Sequence, residues 1–253
     1  MKKIILSFVA VATAVALVPM FAAFEAHVVN VTAKIENALS VTTNAIDFGT
    51  VFPQEQLDEE LTVSLSGSFI AEGRVDDVEY FIRQKPKCGW TLDDGKTLLS
   101  LPTMSGHVDD QGVITCPDPG NPGRPTEAVW GPLPLLCPYI SKHPDMLIGD
   151  GGNDGSTNSF HQPWIVNAGP LDWNDTLGYL SKDDDDIEDV WTIDLAVPCF
   201  GGNCAQDWES FVKRVSDDET TDASLYTQPL SNQHKIFGCD LWVEVTNVSE
   251  LEF

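Results

Sequence analysis

The sequence predicts an all-β fold: an antiparallel β-sandwich or jelly roll with a long irregular, disulfide-containing insertion. Three observations carry that expectation. Apolar residues recur with a period of two in segment after segment. No comparable stretch keeps the 3.6-residue period of a helix. Six cysteines follow a leader that reads as an export signal, where disulfides form and persist.

The leader occupies residues 1–26. Lys2 and Lys3 precede an uncharged apolar run from Ile4 to Phe24, Pro19 interrupts it, and Ala22, Ala23 and Ala26 supply the small exit residues. This is a signal peptide, or an N-terminal anchor if uncleaved, because roughly 20 apolar residues can span a bilayer. Residues 27–253 are expected to form a single β-sandwich domain. Its first strand is read at His27–Glu36, where Val29, Val31, Ala33 and Ile35 alternate with polar residues. A weaker strand is expected from Leu39 to Ile46. Leu61, Val63 and Leu65 mark the next strand, and Val78, Tyr80 and Ile82 the one after. Residues 88–189 read as a loop-rich insertion. Pro117–Pro138 holds seven prolines, Gly149–Ser159 is Gly, Asn, Asp and Ser, and Lys182–Asp189 is an acidic turn. The aromatics Trp90, Trp130, Tyr139, Trp164 and Trp173 argue that this insertion folds against the sheets. Trp191, Ile193, Leu195 and Val197 resume the alternation, and Leu241, Val243 and Val245 close it. Trp208, Phe211, Val212 and Val215 make Gln206–Val215 the one helical candidate.

Charge bounds the partners. Lys and Arg number 14 against 39 Asp and Glu, a net charge of −25. Nucleic acid needs clustered cations, so it is excluded as a partner, and anionic lipid is a poor one. Contact with a membrane is expected only through an uncleaved N-terminal segment. Cys199 and Cys204 flank a short Phe-Gly-Gly-Asn turn and are the expected disulfide. Cys88, Cys116, Cys137 and Cys239 allow three pairings, among which sequence does not choose.

There is no His-Glu-x-x-His, no Gly-x-Ser-x-Gly and no phosphate-cradling loop, so no enzyme is expected. No cofactor is expected with the exception of Ca²⁺. Hard cations want several oxygen ligands from flexible loops. Asp150, Asn153 and Asp154 offer them on one Gly-rich turn, and Asp183 and Asp185 on a second acidic turn.

The segment Asn44-Ala-Ile-Asp-Phe-Gly-Thr-Val-Phe-Pro-Gln-Glu55, following an export signal and an alternating strand, resembles the first strands of TasA/camelysin-type surface matrix proteins, which carry a SipW-type signal peptide. The stretches Trp191–Phe200 (W-T-I-D-L-A-V-P-C-F) and Lys235–Trp242 (K-I-F-G-C-D-L-W) look like those of uncharacterised exported bacterial surface proteins. The first resemblance implies a jelly-roll subunit of an extracellular fibre, in which an N-terminal strand pairs into a neighbouring subunit. The donor stripe would be Val29, Val31, Ala33 and Ile35. The competing reading makes that segment the first strand of its own sandwich. The expected function is therefore a secreted or cell-surface structural protein that self-associates through sheet edges. The alternatives are a non-catalytic adhesion module contacting a glycan or a surface protein and, further off, a secreted hydrolase.

Overall fold

Alternation decides where the sheets form. In the computed structural model, which describes residues 33–43, 45–120, 123–145, 155–162 and 175–250, the chain is mostly β and its strands pair antiparallel. One sheet runs β1 (Leu39–Val41), β2 (Gln56–Leu65), β10 (Glu188–Ala196). The other centres on β3 (Val75–Leu92), which carries β11 (Cys239–Glu250) on one edge and pairs along its length with β9 (Thr176–Ser181), β8 (Val129–Pro132), β5 (Met104–Ser105) and β4 (Thr97–Leu98). A small ladder joins β6 (His107–Val108) to β7 (Ile114–Thr115).

The two sheets pack face to face because each strand turns every second residue inward. Leu61, Val63 and Leu65 of β2 meet Val78, Tyr80 and Ile82 of β3, with Leu180 of β9 and Trp191 and Ile193 of β10 completing the core. Trp191 is fully buried, and its indole N–H donates to the Tyr80 hydroxyl at 2.7 Å. That hydroxyl in turn donates to the buried Asp189 carboxylate, so the polar tip of each core aromatic is satisfied. The short helix α1 (Gly67–Ala71) is capped by Ser66, whose hydroxyl accepts from the Phe69 N–H, and it lowers Phe69 into the same core.

A second core lies at one end of the sandwich. Helix α2 (Trp208–Ser216) presents Trp208, Phe211 and Val212 to Leu195, Ala196 and Val197. Phe160 is the hub, edge-on to Tyr139, Trp208, Phe211 and Tyr226 at centroid separations of 5.5 to 6.0 Å. The helix expected at 206–215 is thus present, shifted by two residues at its start.

Several expectations need correction. Cys88–Leu92 is not insertion; it continues β3 past Pro86, which loses only a donor there. Residues 176–181 are likewise a sheet strand, concealed in the sequence by Gly178. Between Leu92 and Thr176 the described residues form only the short strands β4 to β8, short 3-10 turns and loops. The weak strand at 39–46 shortens to 39–41. Residues 33–36, the described part of the first expected strand, carry no regular structure. Residues 1–35 and 36–253 are separate compact units, and only the end of the first is described. The described strands do not by themselves complete the eight-stranded winding of a jelly roll.

Candidate functional site: an open seam and an apolar groove

The two sides of the sandwich differ. On one side a tight turn joins β9 to β10, with Ser181 bridging Asp186. Residues 140–143 then pair along the outer edge of β10, through Ser141 N–H to Asp194 O at 2.8 Å and reciprocal bonds between His143 and Thr192. Thr157 bonds back to Lys142 in both directions, and Gly155 N–H reaches Leu177 O of β9 at 2.9 Å. This strap ties the two sheets together. The other side has no such strap among the described residues. There β11 ends one sheet and β1, only three residues long, ends the other. Ala38, Leu39, Leu241 and Val243 are half-buried along this seam, packed on the core but not covered by it. An edge strand leaves every second N–H and C=O unpaired. Beyond β1, β2 carries the acidic run Asp58-Glu59-Glu60, all exposed, and charge of this kind discourages strand addition. β11 is longer and less guarded. Its exposed apolar residues are Trp242, Val245 and Val248, and its register against β3 shifts twice, near residues 245–247 and 248–250.

At the end of the seam lies a groove of about 630 Å³. Three segments far apart in sequence build it: residues 46–53, residues 195–200 and residues 233–237. Its floor is apolar, with Phe48, Val51, Leu195, Val197 and Phe200. Its rim carries Lys96 and Lys235. Ile236 N–H donates to Gly95 O at 2.9 Å, which pins the 233–237 segment to the turn after β3. Gly95 has φ +87, and a Cβ there would meet the stem of Lys235 at 3.2 Å. Glycine is needed for the turn and for the lysine to lie across it.

All six cysteines are paired. Cys199–Cys204 forms as expected, and the remaining four pair as Cys88–Cys116 and Cys137–Cys239. The second of these clasps the start of β11 to the short 3-10 turn at Cys137–Tyr139. Three disulfides place the folded chain in an oxidising environment. No helix among the described residues is long and apolar enough to cross a membrane.

Of the cation ligands read from sequence, Asp150, Asn153 and Asp154 lie outside the described residues. Asp183 and Asp185 occupy the β9–β10 turn, Asp185 with φ +59. The Asp183 N–H donates to Asp76 Oδ1 at 3.1 Å. Among the described residues, no three His, Cys, Asp or Glu gather to hold a metal. Burial, and then the neighbouring Asp77 and Asp183 carboxylates, raise the pKa of Asp76. Burial would raise Asp77 too, but hydrogen bonds from Ser249, Ser181 and Tyr179 outweigh it and hold that group below the usual carboxylate range. This pair anchors the end of β11, through Ser249 Oγ to Asp77 Oδ2 at 2.8 Å. Of the donor stripe, Val29 and Val31 lie outside the described residues; Ala33 and Ile35 are exposed, Ile35 at 93%.

The groove has no local sequence signature; the stretches 44–55, 191–200 and 235–242 each contribute lining residues. Comparison with known proteins gives no match: no family description, no curated protein and no solved structure matches this chain.

Proposed function

We propose that the chain is an exported structural protein of the cell surface or extracellular matrix that self-associates through its sheet edges, with the alternating segment at residues 27–36 donated to a neighbouring copy. The supporting observation is the asymmetry of the sandwich among the described residues, strapped along one side and not along the other. There, among the described residues, β11 ends its sheet above half-buried Leu241 and Val243. A strand with one apolar face satisfies both needs, since its backbone pairs with the edge and its stripe covers the seam. Donor and acceptor are different surfaces, so repetition of the contact makes an open filament rather than a closed ring.

Electron microscopy of the purified mature protein tests this. Filaments whose amount rises with concentration, and which vanish when residues 27–36 are deleted, are the expected result. A monomer at high concentration overturns the proposal. One observation favours a second reading, a glycan-binding adhesion module: Trp242 is 46% exposed on the outer sheet face, with the Lys85 ammonium 3.4 Å from its ring centroid. Retention on a glycan column, lost on Trp242→Ala, would select that reading.

A further inference from the structure

The groove ending the seam is distinct from the β11 edge, and what it can hold follows from its chemistry. Sites that take small ligands are concave and mostly apolar, enclose roughly 300–1,000 Å³ and carry a few placed polar groups. The groove fits that description in volume, at about 630 Å³, and in lining. Its rim charge runs against the rest of the molecule. The chain carries 39 acids and 14 bases, yet Lys96, Lys235 and His234 line the groove and Asp47 is its single acid. The Asp47 carboxylate is already engaged, accepting from the Gly49 N–H at 2.9 Å. Neither Lys96 nor Lys235 pairs with a carboxylate among the described residues. The Gly95–Ile236 bond brings the chain at Lys96 next to the chain at Lys235, and both residues line the groove.

We infer that this groove binds an amphipathic anion, a ligand with an extended apolar body and one terminal carboxylate or phosphate, such as a medium-chain fatty acid. The body lies on Phe48, Val51, Leu195 and Val197, and the anion reaches Lys96 and Lys235. This site stands independently of filament assembly.

Isothermal titration of the full-length mature protein with decanoate and with 1-decanol, at low salt and neutral pH, tests it. The two probes share an alkyl chain and differ in charge. Decanoate is expected to bind at least about tenfold tighter than decanol, the size of one charge-assisted contact. Lys96→Gln with Lys235→Gln is expected to erase that difference while leaving decanol binding in place. Both lysines sit on the rim, so near-UV circular dichroism should be unchanged. Phe52, also on the groove wall, is 63% exposed, and Phe52→Ser should weaken both probes. Equal binding of the two probes by the wild-type protein overturns the inference without recourse to any variant. So does failure of both to bind, or an unaltered preference in the double variant. Displacement of decanoate by a peptide of residues 27–36 would assign the groove to a second copy of the chain instead.

Discussion

At the residue scale, one glycine and one histidine show how closely the core is fitted. Gly178 of β9 sits directly opposite Tyr80 of β3. A Cβ at position 178 would collide with the Tyr80 ring, which is fully buried. The tyrosine crosses beneath the neighbouring strand only because that position has no side chain. Gly178→Ala must push the ring away and break its bonds to Trp191 and Asp189. Overpacking of this kind costs about 1–3 kcal/mol, and the lost buried hydrogen bonds add to it. A loss of at least about 2 kcal/mol in chemical denaturation is expected, with a changed tryptophan emission. His161 acts through its charge. Burial lowers its pKa to about 4, the Lys142 charge adds to this, and a hydrogen bond to the Asn158 carbonyl opposes it. Its other ring nitrogen lies 2.8 Å from Gln84 Oε1. Above pH 6.5 the ring is neutral in both folded and unfolded chains and has no effect on stability. Between about pH 6.5 and 4 the unfolded chain takes up a proton that the folded chain refuses, so stability falls as pH falls, by at most about 3 kcal/mol. Asp76, with a raised pKa, works in the opposite sense. The comparison is therefore wild type against His161→Gln, in which the shared carboxylate titrations cancel. The variant should lose less stability across that window.

At the element scale, the disulfides differ in what they close. Cys137–Cys239 spans 102 residues, Cys88–Cys116 spans 28 and Cys199–Cys204 spans 5. Loop-closure entropy then ranks them at about 4.7, 3.6 and 2 kcal/mol. Thermal melts of the three Cys→Ser pairs should follow that order, with the Cys137/Cys239 variant lowest because it also frees the start of the edge strand. An inverted order would mean that residual structure in the unfolded chain outweighs loop length. The same elements show what was legible in the sequence. β2, the first half of β3, β10 and the first half of β11 announce themselves, because a sheet with one buried face imposes a period of two on its own strand. The Trp208 helix does so with its 3.6-residue stripe. The Cys199–Cys204 link is legible because it is local. The other two disulfides are not, since the pairing of Cys137 with Cys239 depends on where β11 docks. β9 was hidden by Gly178, which reads as a strand breaker and is instead the space for Tyr80. Phe160 was hidden in a Gly, Asn and Ser loop and became the hub of the second core. The groove draws on segments some 150 residues apart, and no local pattern announces a surface assembled only by packing.

At the scale of the whole molecule, net charge and edge geometry pull in opposite directions. A chain of net charge −25 repels its own copies, and the acidic run on β2 places part of that charge beside the open seam. The contact proposed for assembly is apolar and backbone-mediated, and salt does not weaken either component. Screening therefore removes only the opposing force. The Debye length falls from roughly 30 Å at 0.01 M salt to about 10 Å at 0.1 M. Filament growth followed by light scattering should accelerate across that range and then level off once repulsion is screened. Mild acidification, which neutralises carboxylates, should do the same at fixed low salt until loss of fold intervenes. Assembly that slows as salt rises would mean that copies are held by opposite charges. The apolar edge and donated strand would then be the wrong contact, however many filaments formed.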